Sequence, residues 1–174
     1  VTYQHVTGYE VSIPEDWTLL RQTETGGVYF LSPDKNISLN IMAEVGGMNY
    51  LNPEELSNSV YQELQEVIDN AKVIKIEAVQ NKEREYRQLM EGTDQAGSNI
   101  YADAYIYQPM DGMRYYLILC CGGDDYAVTK SIYDNIINSF HITMGQDEIY
   151  SLLTLDEDTL KDKLSHGLET VFSD

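Results

Sequence analysis

Residues 100–121 restrict the fold more than any other stretch of the chain. Two apolar runs, 100–108 and 113–121, flank Pro109, Met110, Asp111 and Gly112. Asp-Gly between such runs predicts a hairpin, because both residues tolerate the positive φ that tight primed turns demand. Alternation puts Ala102, Ala104 and Ile106 on one face with Tyr115, Leu117 and Leu119. Tyr101, Tyr105 and Tyr107 then share the other face with Tyr116, Ile118 and Cys120. Neither face is polar, so a sheet centred here needs cover on both sides. That dictates an architecture and leaves the function open.

A chain of 174 residues suits one domain. It buries roughly 70% of its unfolded surface and needs no metal or disulfide staple. Its 29 acidic residues against 11 Lys and Arg leave a net charge of −18. Such a field repels phosphate backbones and anionic lipid headgroups, so nucleic acid and direct electrostatic membrane binding are not expected. Solubility explains the acidity, and a cationic partner is the sharper reading. The two cysteines, Cys120 and Cys121, are adjacent on a strand and point to opposite faces, which reads as two small buried thiols. No stretch approaches the roughly 18 apolar residues of a membrane span. The chain starts at Val1, so a signal or lipid anchor is expected upstream.

Residues 1–7 read as a short edge strand or tether. Tyr9, Val11 and Ile13 alternate with polar neighbours until Pro14 ends the strand. Residues 17–21, 28–31 and 37–43 continue as a meander, antiparallel because the connections are too short for crossovers, with Trp17 anchoring one end of the core. Asn52 and Pro53 start a helix whose stripe is Leu56, Val60, Leu64 and Val67 or Ile68. Residues 73–79 form a strand with Ile74, Ile76 and Ala78 inward, and 86–91 a weaker one. Asp124 or Asp125 caps a second helix whose apolar face includes Ala127, Val128, Ile132, Tyr133, Ile136 and Phe140. After Gly145 the chain is acidic, with Thr154 and Glu157 spaced as a capping box and Leu160, Leu164, Leu168 and Phe172 along one side.

The segment GYEVSIPEDW (residues 8–17), the meander after it, the helix from Pro53 and the segment IYDNIINSF (132–140) together resemble the PsbP-like family. The likeness is to its bacterial exported members, including DcrB-type proteins, more than to the plant photosystem subunit, and it spans about residues 8–143. It implies an α+β fold, an α/β/α sandwich with an antiparallel sheet flanked by helices on both faces. Residues 144–174 fall outside it and form a C-terminal acidic helical extension to a domain of 1–143. The resemblance also implies a non-catalytic module of a secreted protein or lipoprotein. It has no catalytic motif to transfer. The small nuclear Ran-binding factors share that fold, and none of their binding residues carries over.

Chemistry is sparse. His5, His141 and His166 are scattered, without the helical pair of zinc proteases. The glycine pairs at 26–27, 46–47 and 122–123 lack the lysine of a phosphate loop, and Asp156, Glu157 and Asp158 lack a calcium loop. No cofactor and no metal are therefore expected. Fourteen tyrosines among eighteen aromatic residues give contact area with a polar tip. Tyr101, Asp103, Tyr105, Tyr107 and Tyr116 are the candidate binding residues, or else they pack beneath a helix. The leading expectation is a non-catalytic, extracytoplasmic binding module, the soluble part of a bacterial lipoprotein, with a protein or small-molecule ligand and a homodimer formed through 154–172. An intracellular adaptor is the second reading. A hydrolase pairing Asp103 with Glu44 or Glu91 is the third, though no spacing supports it.

Overall fold

The computed structural model describes residues 1–46, 49–80 and 82–172. Strands β1 (Thr2–His5) and β2 (Tyr9–Ser12) come first, then the meander β3 (Thr18–Gln22), β4 (Val28–Leu31) and β5 (Ile37–Val45). Helix α1 (Pro53–Leu64) precedes β6 (Asp69–Ala78), β7 (Glu85–Thr93), β8 (Asn99–Met110) and β9 (Met113–Gly122). Helix α2 (Tyr126–Ser139), the short β10 (His141–Ile142), helices α3 (Gln146–Leu153) and α4 (Glu157–Ser165), and β11 (Leu168–Thr170) complete the chain. Seven strands form one antiparallel sheet in the order β3-β4-β5-β9-β8-β7-β6, and four form a second in the order β10-β2-β1-β11.

Helix α1 starts where its caps require. Asn52 Oδ1 accepts from the Glu55 amide at 2.9 Å and Glu55 Oε1 from the Asn52 amide at 3.2 Å, satisfying two donors a helix start leaves free. Leu56, Val60 and Leu64 bury its apolar stripe against Ala102, Ala104, Ile106 and Ile118, worth roughly 1.5–3 kcal/mol per large side chain. On the opposite face Tyr133 and Ile136 of α2, with Tyr9 and Val11 of the small sheet, cover Tyr105, Tyr115, Leu117 and Leu119. Trp17 is buried in the same cluster. Both sides of the β8–β9 hairpin are therefore covered, as its sequence requires.

The composition of the two faces differs from the expected one. Met110 pairs with Met113 at the turn, but Tyr107 pairs with Tyr115, so β8 carries one extra residue beside Pro109. Proline has no amide to give the ladder and sits in a sheet interior at such a bulge. One extra residue exchanges the faces beyond it. Ala102, Ala104 and Ile106 thus share a face with Tyr116, Ile118 and Cys120, and Tyr101, Asp103, Tyr105 and Tyr107 with Tyr115, Leu117 and Leu119.

Three smaller expectations change for related reasons. A register shift between Val73 and Lys75 turns Ile74 outward and Val73 inward, and Ala78 is exposed. Helix α2 buries Thr129, Tyr133 and Ile136 and leaves Ala127 and Val128 exposed; Asp125 occupies the cap position without a side-chain bond. The C-terminal stripe is not one helix. Asp156 caps α4 by accepting from the Thr159 amide, and α4 ends at Ser165, just before Gly167. The chain then turns into β11, which pairs antiparallel with β1. Leu160, Leu164 and Leu168 are half-buried within the chain, Phe172 is exposed, and Ile149 of α3 joins the main core.

Candidate functional site

The bulge in β8 separates the expected binding residues. Tyr101, Asp103, Tyr105 and Tyr107 face α2; Tyr116 faces α1, where Arg114 and Ser59 contact its hydroxyl at 3.4 Å. Asp103 is only 3% exposed. Arg87 of β7 donates to it twice, Nη2 to Oδ2 at 2.7 Å and Nε to Oδ1 at 3.2 Å, and Tyr126 of α2 donates to Oδ2 at 2.7 Å. Arg87 also donates to Asp134 of α2 at 3.1 Å and lies over the Tyr133 ring. Asp103 is thus a clasp between the sheet and α2. Its imagined partner Glu44 lies on the other face, where it meets Arg114 at 3.4 Å.

The tyrosines differ in exposure. Tyr105 is buried and its hydroxyl donates to Glu85, while Tyr101 and Tyr107 are half-buried. The Tyr101 ring lies 5.0 Å from that of Tyr126 and lines an open polar cleft of about 470 Å³ with Lys72, Glu91, Thr93 and Asn99. Burial raises the Tyr126 phenol, reinforced by its bond to Asp103, and burial pushes Tyr116 up to about 12. Neither serves as a base at neutral pH. Burial likewise pushes the thiols of Cys120 and Cys121 up to about 11. Among the described residues no three His, Cys, Asp or Glu side chains stand close enough together to hold a metal. No described helix is long and apolar enough to cross a membrane.

Seven strands about 4.8 Å apart span roughly 30 Å, and a single helix covers about 10 Å of that width. Helix α1 lies against β6 and packs on Ala102, Ala104 and Ile118, and among the described residues no helix packs over β3 and β4 on the same face. Between that side of the sheet and the end of α1 runs a groove of about 430 Å³, lined by Tyr29, Asn40, Met42, Ile118, Cys120 and Val67 among others. Val67 is 71% exposed. A smaller cleft of about 200 Å³ adjoins it and shares Tyr29, Met42 and Glu63. The Arg21 guanidinium lies 4.2 Å over the Tyr29 ring on one bank, and Glu63 and Glu66 stand on the other. None of these three charged residues has an ion-pair partner among the described residues. Asn40 Oδ1 is buried without a hydrogen-bond partner. Volume, apolar lining and a few polar groups are those of a ligand site. The sequence signal was present as the alternation of Ser38, Asn40 and Met42 with Leu39 and Ile41, but no local pattern tells which half of a sheet a helix leaves open.

No protein-family model matches the sequence, and no curated protein matches it. Solved structures do. Cyanobacterial PsbP (CyanoP) from Synechocystis is similar with a TM-score of 0.58 at 17% identity, over 81% of this chain and 92% of that one. The Saccharomyces cerevisiae Ran-binding protein Mog1p is similar with a TM-score of 0.55 at 11% identity, over 78% of this chain and 90% of that one. A Bacteroides thetaiotaomicron protein has a TM-score of 0.52 at 16% identity, with 87% of this chain aligned to 56% of the longer one. Identities this low speak to architecture alone. With an antiparallel sheet covered on both faces and this set of structural neighbours, the chain has the PsbP-like fold.

Proposed function

We propose that the chain is a non-catalytic binding module, and that its partner docks in the groove beside α1. The groove is the observation that carries this reading: half-buried Met42 and Cys120 line it beside the exposed Val67, next to the part of the sheet that α1 covers. The carboxylate that an acid–base mechanism would need, Asp103, is held by Arg87 and Tyr126. Placement outside the cytoplasmic membrane, on a lipid-anchored parent, is part of the proposal. Its support is the likeness of residues 8–17 and 132–140 to exported PsbP-like proteins.

Binding of a neutral solvatochromic dye tests the groove. Amide resonances of Met42, Ile118 and Val67 are expected to shift together on titration, and the dye emission to fall in Met42→Asp. Dye binding elsewhere, or none, overturns the site. Turnover of ester, phosphate or glycoside substrates by the purified chain overturns the non-catalytic assignment. The coding sequence upstream of Val1 tests the placement: a signal peptide ending in a lipid-modified cysteine is expected, and a start codon directly before Val1 refutes it.

A further inference from the structure

The two banks of the groove carry different charge. Glu63 in the last turn of α1 and Glu66 in the turn that follows it form one bank and have no ion-pair partner among the described residues. Glu44 stands at the adjoining cleft. The opposite bank holds one cation, Arg21, already laid over Tyr29. An anionic amphiphile would meet these carboxylates at close range, and the −18 charge of the chain would oppose its approach. The same field draws in a cationic partner. The floor between the banks combines Met42, Ile100 and Cys120 with the polar side chains of Ser38 and Asn40.

We propose that the groove takes a basic amphipathic segment of a partner protein, its apolar side chains on Met42, Cys120 and Val67 and its Lys or Arg side chains against Glu63 and Glu66. This rests on the groove being the docking site. The segment's chemistry, apolar on one side and cationic on the other, is the recognised feature.

The test uses the full chain, the neutral dye, and two synthetic peptides with the same leucine pattern, one carrying lysines and the other glutamates. The lysine peptide is expected to displace the dye, to shift the Met42 and Ile118 amides, and to bind more weakly as salt rises. Glu63→Gln with Glu66→Gln, both at exposed positions, is expected to weaken it by about fivefold to tenfold and to flatten its salt dependence. If the dye binds in the groove but the lysine peptide does not displace it, or the glutamate peptide does so equally well, the inference about charge is overturned and the groove stands. If neither the dye nor any peptide perturbs the groove amides, both fall.

Discussion

Arg87 and Asp103, on neighbouring strands β7 and β8, meet through two parallel hydrogen bonds of 3.2 and 2.7 Å, and α2 reaches both of them through Asp134 and Tyr126. The pair therefore ties the sheet to the helix that covers it. Removing either partner has unequal consequences, because Asp103 is buried and the Arg87 side chain is 22% exposed. Arg87→Met leaves a buried carboxylate with the Tyr126 hydroxyl and is expected to cost about 3 kcal/mol. Asp103→Asn leaves a partly solvated guanidinium that keeps Asp134 and is expected to cost about 1–2 kcal/mol. Urea unfolding of the two variants checks the order. Equal losses would count against the clasp.

His5 is buried against Tyr9, with Nδ1 taken by the Thr7 amide and hydroxyl, and Nε2 without a partner. Burial lowers its folded-state pKa from 6.5 to about 4. Between those values the unfolded chain binds the proton and the folded one does not. The neutral ring's contribution is thus complete above pH 6.5 and lost as pH falls toward 4, by about 3 kcal/mol. His5→Asn, which keeps an acceptor for Thr7, is expected to show a shallower loss of thermal stability from pH 7 to 4. Identical slopes would refute the assignment.

Gly92 on β7 lies so close to the α1–β6 connection that a Cβ there would come within 2.2 Å of Ile68 Cγ2 and 2.7 Å of the Asp69 carbonyl oxygen. Backbone cannot step aside as a side-chain tip can, so Gly92→Ala is expected to cost about 2–3 kcal/mol. Gly97, at φ +81° with open space around it, isolates the conformational effect, and Gly97→Ala is expected to cost about 1 kcal/mol. Thermal melts of both variants decide whether crowding exceeds strain.

Both thiols are pushed from 9.0 to about 11, so at pH 8 the thiolate is about 100-fold scarcer than in the unfolded chain. Alkylation by iodoacetamide is expected to be slow in buffer and fast in urea. Rapid labelling of the native protein would show that Cys120 or Cys121 is not held as described.

Strand β11 ties the C-terminal segment to the amino-terminal strand through Tyr3–Thr170 and His5–Leu168 pairs, and the Val6 amide donates to the Gly167 carbonyl at 3.1 Å. Deleting residues 167–174 is expected to speed hydrogen exchange of the β1 amides that point toward β11, and to lower the melting temperature. Unchanged exchange in β1 would show that the tail is dispensable to the sheet.

Local pattern was enough to place the hairpin and α1. A hairpin with apolar residues on both faces needed covering layers, and the Asn52–Pro53–Glu55 start with Leu56, Val60 and Leu64 set α1 and its buried side. Of the candidate site, Asp103 and its tyrosines were legible as residues, but their surroundings were not. Long-range packing sets the rest: one extra residue at Pro109 sends Tyr116 to the opposite face, Arg87 and α2 close over Asp103, and the chain beyond Gly167 returns as β11. The groove belongs to the same class, because it lies between Tyr29, Met42, Val67 and Ile118, far apart in the chain. Alternation and helical period carry information over a few residues, whereas register, coverage and open space depend on which distant segments meet.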